Sequence, residues 1–250
     1  MGPDASGRVG DGGVHSPARF ILSYQNLMTS SETGLPPGTA TSQDDMQTKG
    51  RSRIQIRNGK KILEAGEQVF AQFGYHGATL EKVAELADMS QPNLHHYFKT
   101  KADLYLAVIN EVLTVWLEPL GTLDAAGEPE AELRGYIARK MELARIYPAA
   151  SRIFAHEILL GAPVLQPILD SQVKAVVDRG VATIRAWVAA GRLQPIDPYH
   201  LIFMIWGATQ HYADFMPQIR AVTGVRYKKA DFEAARDSIC EIILRGILVG

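Results

Sequence analysis

Cysteine is almost absent from this chain, with Cys240 the only one among 250 residues. That excludes an internal disulfide and any cysteine-rich zinc site. Long apolar runs are missing too. None approaches the roughly 20 residues that span a bilayer, so no membrane partner is expected. The first residues show no charged start followed by an apolar stretch, which speaks against a secretory leader. A reducing cytoplasm is therefore the expected setting. No alternating run reads as a strand, and no internal repeat is visible. A nucleophile elbow, a phosphate-cradling glycine loop and metal-ligand spacing are equally missing. The expectation is a chain that is not an enzyme, with no cofactor and no metal; a helical small-molecule enzyme stays open as the rival class.

Bulk charge is also small, at −1, but it is unevenly placed. Residues 49–101 hold nine Lys and Arg against five acids, a net of +4, which leaves −5 for the rest. A basic head on an acidic body suits a phosphate-binding module attached to something else. The hydrophobic share of 46% is enough for a real core. Residues 1–48 are instead rich in Gly, Ser, Thr, Pro and Asp, and bury too little apolar surface to offset their ordering entropy. They are expected to be disordered, or a spurious extension ahead of a start at Met46.

From Ile54 onward the pattern is helical. Ile62, Ala65, Gly66, Val69, Phe70 and Phe73 repeat at helical spacing until Gly74. Thr79 is placed to cap a second helix, Asp88-Met89-Ser90 makes a turn, and Ser90 caps a third whose first turn holds Pro92. A fourth helix is predicted from Ala102 to Trp116 or Leu117, stopped by Pro119. More helices follow, over about 130–147, 149–160, 164–190, 198–215 and 231–249, punctuated by Pro and Gly. The fold class is all-α, with about nine helices.

The stretch from Thr79 to Lys101 reads as a helix-turn-helix. Leu80, Val83, Ala84, Leu86, Ala87, Leu94 and Phe98 suffice to pack it. Gln91, Asn93, His95, His96 and Tyr97 remain, and these residue types reach base edges and phosphates. Packing alone would also account for a three-helix unit. The basic segment Lys49 to Lys61 reads either as a solvated helix start or as an arm along the phosphates.

The segment GYHGATLEKVAELADMSQPNLHHYFKTKADLYLAVI resembles the DNA-binding domain of TetR-family transcriptional regulators, over residues 56 to 109. The resemblance implies DNA contacts from Thr79, Ser90, Gln91, Pro92, Asn93, His95, His96, Tyr97 and Lys101. His95 and His96 depart from the family's usual aromatics, although an imidazole can still donate to phosphate. The family also implies a homodimer on palindromic double-stranded operator DNA, with a small-molecule site in the C-terminal helices. The expected organisation is an extension over 1–48, a DNA-binding head over 49–103, and a ligand-binding and dimerisation body over 104–250.

The body resembles the pyrimidine-utilisation subgroup of that family, which senses uracil or thymine. YPAASRIFAHEILLGAP (147–163) and GRLQPIDPYHLIFMIWGATQHYADF (191–215) carry that likeness. A repressor responding to a flat pyrimidine follows as an expectation, with a TetR-type regulator of another small molecule as the alternative. Trp116 offers a ring and Gln210 both a donor and an acceptor; Glu157, Trp206, His211 and Asp214 complete the candidate ligand set. Either tryptophan could equally be core, and His211 with Asp214 could be an internal or surface pair. An architectural DNA-binding protein without a ligand is the third reading, disfavoured because buried polar residues cost free energy unless satisfied.

Overall fold

The computed structural model describes the backbone from Ser42 to Val249 and the side chains from Arg53 to Val249. Residues 1–41, and with them most of the expected disordered extension, lie outside the described residues. Among the described residues there are ten helices and no strand; one isolated bridge pairs Leu193 with Leu248. In chain order the helices are α1 Ser42–Gly77, α2 Leu80–Leu86, α3 Gln91–Tyr97, α4 Lys101–Gly121 and α5 Pro129–Ile146, then α6 Pro148–Leu159, α7 Lys174–Ala189, α8 Pro198–Asp214, α9 Met216–Thr223 and α10 Lys229–Ile247. A short helical turn at Gln166–Ile168 and a π-helical turn at Leu169–Val173 lead into α7.

Among the described residues, those up to Lys61 fall in one unit and those from Ile62 onward in a second. The first is helical from Ser42, inside the stretch expected to lack order up to residue 48. Once a helix is nucleated, each added residue gains a hydrogen bond, so it extends past its amphipathic part. The basic segment is helical as well, and Arg53, Arg57 and Lys61 are exposed on it.

In the second unit the core of the body is built by α5, α7, α8 and α10. Leu133, Ile137, Ile184, Trp187, Ile202 and Leu244 are buried there. Each such side chain contributes about 1.5–3 kcal/mol by leaving water. Gly180 lets α7 approach α4 closely, since a Cβ there would come within 2.6 Å of Leu120. Trp187 is the fully buried core tryptophan, its indole N–H donating to the Ala125 carbonyl at 3.0 Å.

Two boundaries differ from the sequence reading. Helix α4 does not stop before Pro119 but carries it, buried, to Gly121. Burial of Pro119 and Leu120 holds this last turn in place. At 21 residues α4 is also long and apolar enough to cross a bilayer, contrary to expectation, yet its apolar face is largely buried among the other helices. Helix α1 runs to Gly77 but breaks internally at Gly74, with φ 65° and ψ 178°. That backbone conformation is essentially restricted to glycine.

Candidate functional site

The head places its polar side chains at helix starts. Thr79 Oγ1 accepts from the Lys82 amide at 3.3 Å, and Ser90 Oγ from the Asn93 amide at 3.4 Å. Each hydroxyl satisfies one orphan amide and keeps its own proton free to donate outward. Asp88, with φ 53°, makes the left-handed turn between α2 and α3, a conformation that Asp tolerates. Leu94 and Phe98 anchor α3 in the interior. On the other side of α3, Gln91, Pro92 and His96 are exposed, while Asn93, His95 and Tyr97 are half-buried. Eight of the nine residues expected to contact DNA are thus carried by α3 or by the two caps.

Lys101 is placed differently. Its ammonium donates to the carbonyls of Ala78 at 3.1 Å and His76 at 3.5 Å, and lies 4.6 Å from the centre of the Tyr75 ring. It ties the start of α4 to the α1–α2 connection rather than standing free for a phosphate.

Head and body meet at a second polar joint. Tyr105 of α4 donates its hydroxyl to Glu157 Oε2 at 2.9 Å, while Glu157 Oε1 accepts from the amides of Val164 at 2.7 Å and Leu165 at 3.2 Å. Phe70 and Tyr75 pack against the Tyr105 ring at 4.8 Å each. Burial, and then the bond to Glu157, push the Tyr105 hydroxyl well above its ordinary value. Nearby, the His156 ring lies over the Gly74 break, 3.3 Å from where a Cβ would stand. Glu157 was expected to touch ligand; the structure brings it to this joint instead, with both oxygens bonded inside the protein.

The body holds a cavity of about 530 Å3, counting its opening to solvent. Trp116 from α4, Lys140 from α5, Ser151 and Phe154 from α6, and Trp206 and Gln210 from α8 line it. The Trp206 indole donates to the Tyr136 hydroxyl at 2.6 Å, which fixes its ring. Trp116 Nε1 and Ser151 Oγ are buried with no hydrogen-bond partner. The Lys140 ammonium sits 4.1 Å from the centre of the Trp116 ring. Burial depresses its pKa to about 7, an effect that the negative charge of Asp214 partly opposes.

Of the ligand candidates, Trp116, Trp206 and Gln210 are brought together at this cavity. His211 is not; it is exposed and stacked on Phe215 at 4.9 Å. Asp214 stands behind the lining, half-buried, with Oδ1 lacking a partner. Sequence reading missed Lys140, Ser151 and Phe154. Lys140 carried a signal, because it occupies the apolar stripe of α5 between Tyr136, Ile137 and Met141. Among the described residues no three His, Cys, Asp or Glu side chains group as metal ligands.

Comparison with known proteins bears on both regions. Residues 62–108 match the family model described as bacterial regulatory proteins, tetR family. Residues 109–250 match the model described as YcdC-like protein, C-terminal region. Over 207 residues the chain is 46% identical to the HTH-type transcriptional regulator RutR of Escherichia coli (strain K12), covering 82% of this chain and 98% of that protein. RutR of Shigella flexneri matches equally, at 46% identity over 82% and 98%. Among solved structures, AibR in complex with isovaleryl coenzyme A and operator DNA has a TM-score of 0.60 at 21% identity, over 74% of this chain and 97% of AibR. That last likeness is one of fold.

Proposed function

This chain belongs to the TetR family of transcriptional regulators, and from that premise we propose that uracil or thymine is the effector that releases it from DNA. As a family member it is a ligand-responsive DNA-binding regulator and not an enzyme. The RutR proteins it resembles are regulators of pyrimidine utilisation, which supports a flat, polar base as the ligand. The observation that carries the reading is the cavity itself. It combines two indole rings and a phenyl ring with the Gln210 amide and unpartnered polar atoms on Trp116 and Ser151. A pyrimidine offers an apolar face to the rings and alternating donors and acceptors to the polar atoms.

The DNA-reading surface in this proposal is α3 with the Thr79 and Ser90 hydroxyls, acting as a repressor in the cytoplasm. Reading a palindromic operator takes two such surfaces about 34–36 Å apart, hence a homodimer. Most of the α10 stripe is used inside the chain, where Ala235, Ile239, Ile243 and Ile247 are buried. Phe203 and Met204 of α8 and Ile242 of α10 remain exposed and are the surface we assign to the partner protomer. Release works through α4. Its first turn is fixed to the head by Lys101, and Trp116 lies fifteen residues, or about 22 Å, further along. A ligand beside Trp116 tilts this rod and alters the spacing of the two recognition helices.

The test is operator binding by gel shift or fluorescence anisotropy, with and without uracil and thymine, for the parent and Trp116→Ala. The parent releases operator when pyrimidine is added; Trp116→Ala binds operator but fails to release it. A Trp116→Ala protein that responds like the parent would mean that the effector site lies elsewhere.

A further inference from the structure

The inward stripe of α5 reads Leu133, Tyr136, Ile137, Lys140, Met141 and Ala144, and all six are buried. Five of these suit a core. The sixth is a lysine, 4% exposed as a whole residue, whose ammonium borders the cavity and makes no hydrogen bond among the described residues. Burying an unpaired charge is among the costliest things a fold does. What faces Lys140 offsets only part of that. From α4 comes the Trp116 ring face at 4.1 Å, a favourable but incomplete partner. From α8, Asp214 contributes a negative charge but no ion-pair contact. Ser151 of α6 and Gln210 of α8, which share the cavity lining, are neutral, as is Tyr136 on its own helix. A charged group left without an acceptor beside a cavity marks a place where a ligand supplies one.

We propose that Lys140 is a specificity-determining residue of the effector cavity, donating a hydrogen bond to a carbonyl oxygen of a planar ring held beside Trp116. This rests on the reading of the cavity as the effector site. It makes the cavity selective for rings that present an acceptor at that edge, over rings that present an amino group or a methyl. It also couples binding to protons. A carbonyl oxygen favours the charged amine, so the bound complex holds its proton to higher pH than the free protein, whose Lys140 loses it near 7. Affinity is then greatest below about pH 7 and falls as pH rises toward the higher value of the complex, with a proton taken up on binding across that window.

The experiment is calorimetric titration of the full chain with uracil, 2-thiouracil and 4-thiouracil at about pH 6.5 and 8.5, in buffers of different ionisation enthalpy. Sulfur is a weak acceptor, so each thiouracil removes one carbonyl contact. For the parent we expect uracil affinity to drop by roughly tenfold between the two pH values, with proton uptake at the higher one. One of the two thiouracils should bind about tenfold more weakly than uracil. Lys140→Met, checked for folding by its melting curve, should bind uracil about tenfold to a hundredfold more weakly, without the pH dependence or the discrimination between thiouracils. If the parent binds uracil and Lys140→Met matches it in affinity and pH profile, Lys140 has no such role while the effector reading stands. If the parent binds none of the three pyrimidines, the effector reading itself falls, and this inference with it.

Discussion

In the head, polar side chains near the helix starts find partners within a turn of themselves. Thr79 and Ser90 cap α2 and α3, and Thr100 and Asp103 form a reciprocal capping box at the start of α4, at 3.1 and 2.9 Å. In the body, Trp116 Nε1, Ser151 Oγ and Asp214 Oδ1 are buried atoms without a hydrogen-bond partner, and Lys140, a buried residue, makes no hydrogen bond among the described residues. The difference separates two kinds of function. A surface that reads DNA presents side chains outward from a framework already satisfied. On the proposed reading, a sensing cavity leaves part of its own bonding undone for a ligand to complete. Removing a polar group should therefore weaken the head and strengthen the body.

The sharpest way to break this contrast is Lys140→Met. It removes a buried, unpaired charge and fits the stripe of α5, so we expect it to stabilise the protein by about 1–4 kcal/mol at neutral pH. The pH profile of melting gives an independent check. The unfolded chain holds the Lys140 proton up to about 10.5 and the folded chain only to about 7, so the parent gains stability as pH rises between those values. Below about 7 the burial penalty is felt in full. Lys140→Met should lack that rise, and a destabilised variant would overturn the contrast.

Tyr105→Phe tests the boundary between the regions. It leaves the Glu157 carboxylate with its two backbone donors but without the hydroxyl, and should cost about 1–3 kcal/mol in denaturant unfolding. A neutral outcome would show that the joint is apolar packing by Phe70, Tyr75 and the Tyr105 ring alone. The smallest effect is expected in the head, where Ser90→Ala removes one cap for about 1 kcal/mol. In thermal melts an unchanged midpoint would mean that the α3 start is held by Pro92 and Leu94 without help.

The same contrast explains what could be read in the chain before its structure was known. The caps act across three residues, so Thr79, Ser90 and the turn between them were visible as local pattern. Helix boundaries follow from Pro and Gly, except where burial overrides Pro119 and where α1 continues past the Gly74 break to Gly77. The cavity draws on α4, α5, α6 and α8, spanning residues from Trp116 to Gln210, and no local pattern joins them. Trp116, Trp206 and Gln210 are legible only through their side-chain chemistry. A lysine is ordinarily solvated, and only its place in the α5 stripe distinguishes Lys140. Glu157 was rightly singled out as an acid in an apolar helix. Its partner Tyr105 lies 52 residues away, beyond what spacing can disclose.

The break at Gly74 has a consequence for genetics. Any side chain there must both adopt a backbone conformation suited to glycine and displace the His156 ring. Changes at Gly74 or His156 therefore alter how the two regions meet without altering either surface. In a reporter screen they would be scored beside true operator and effector alleles, although both lie outside the proposed reading surface and the cavity lining. Remoteness from both sites is no guarantee of a silent allele.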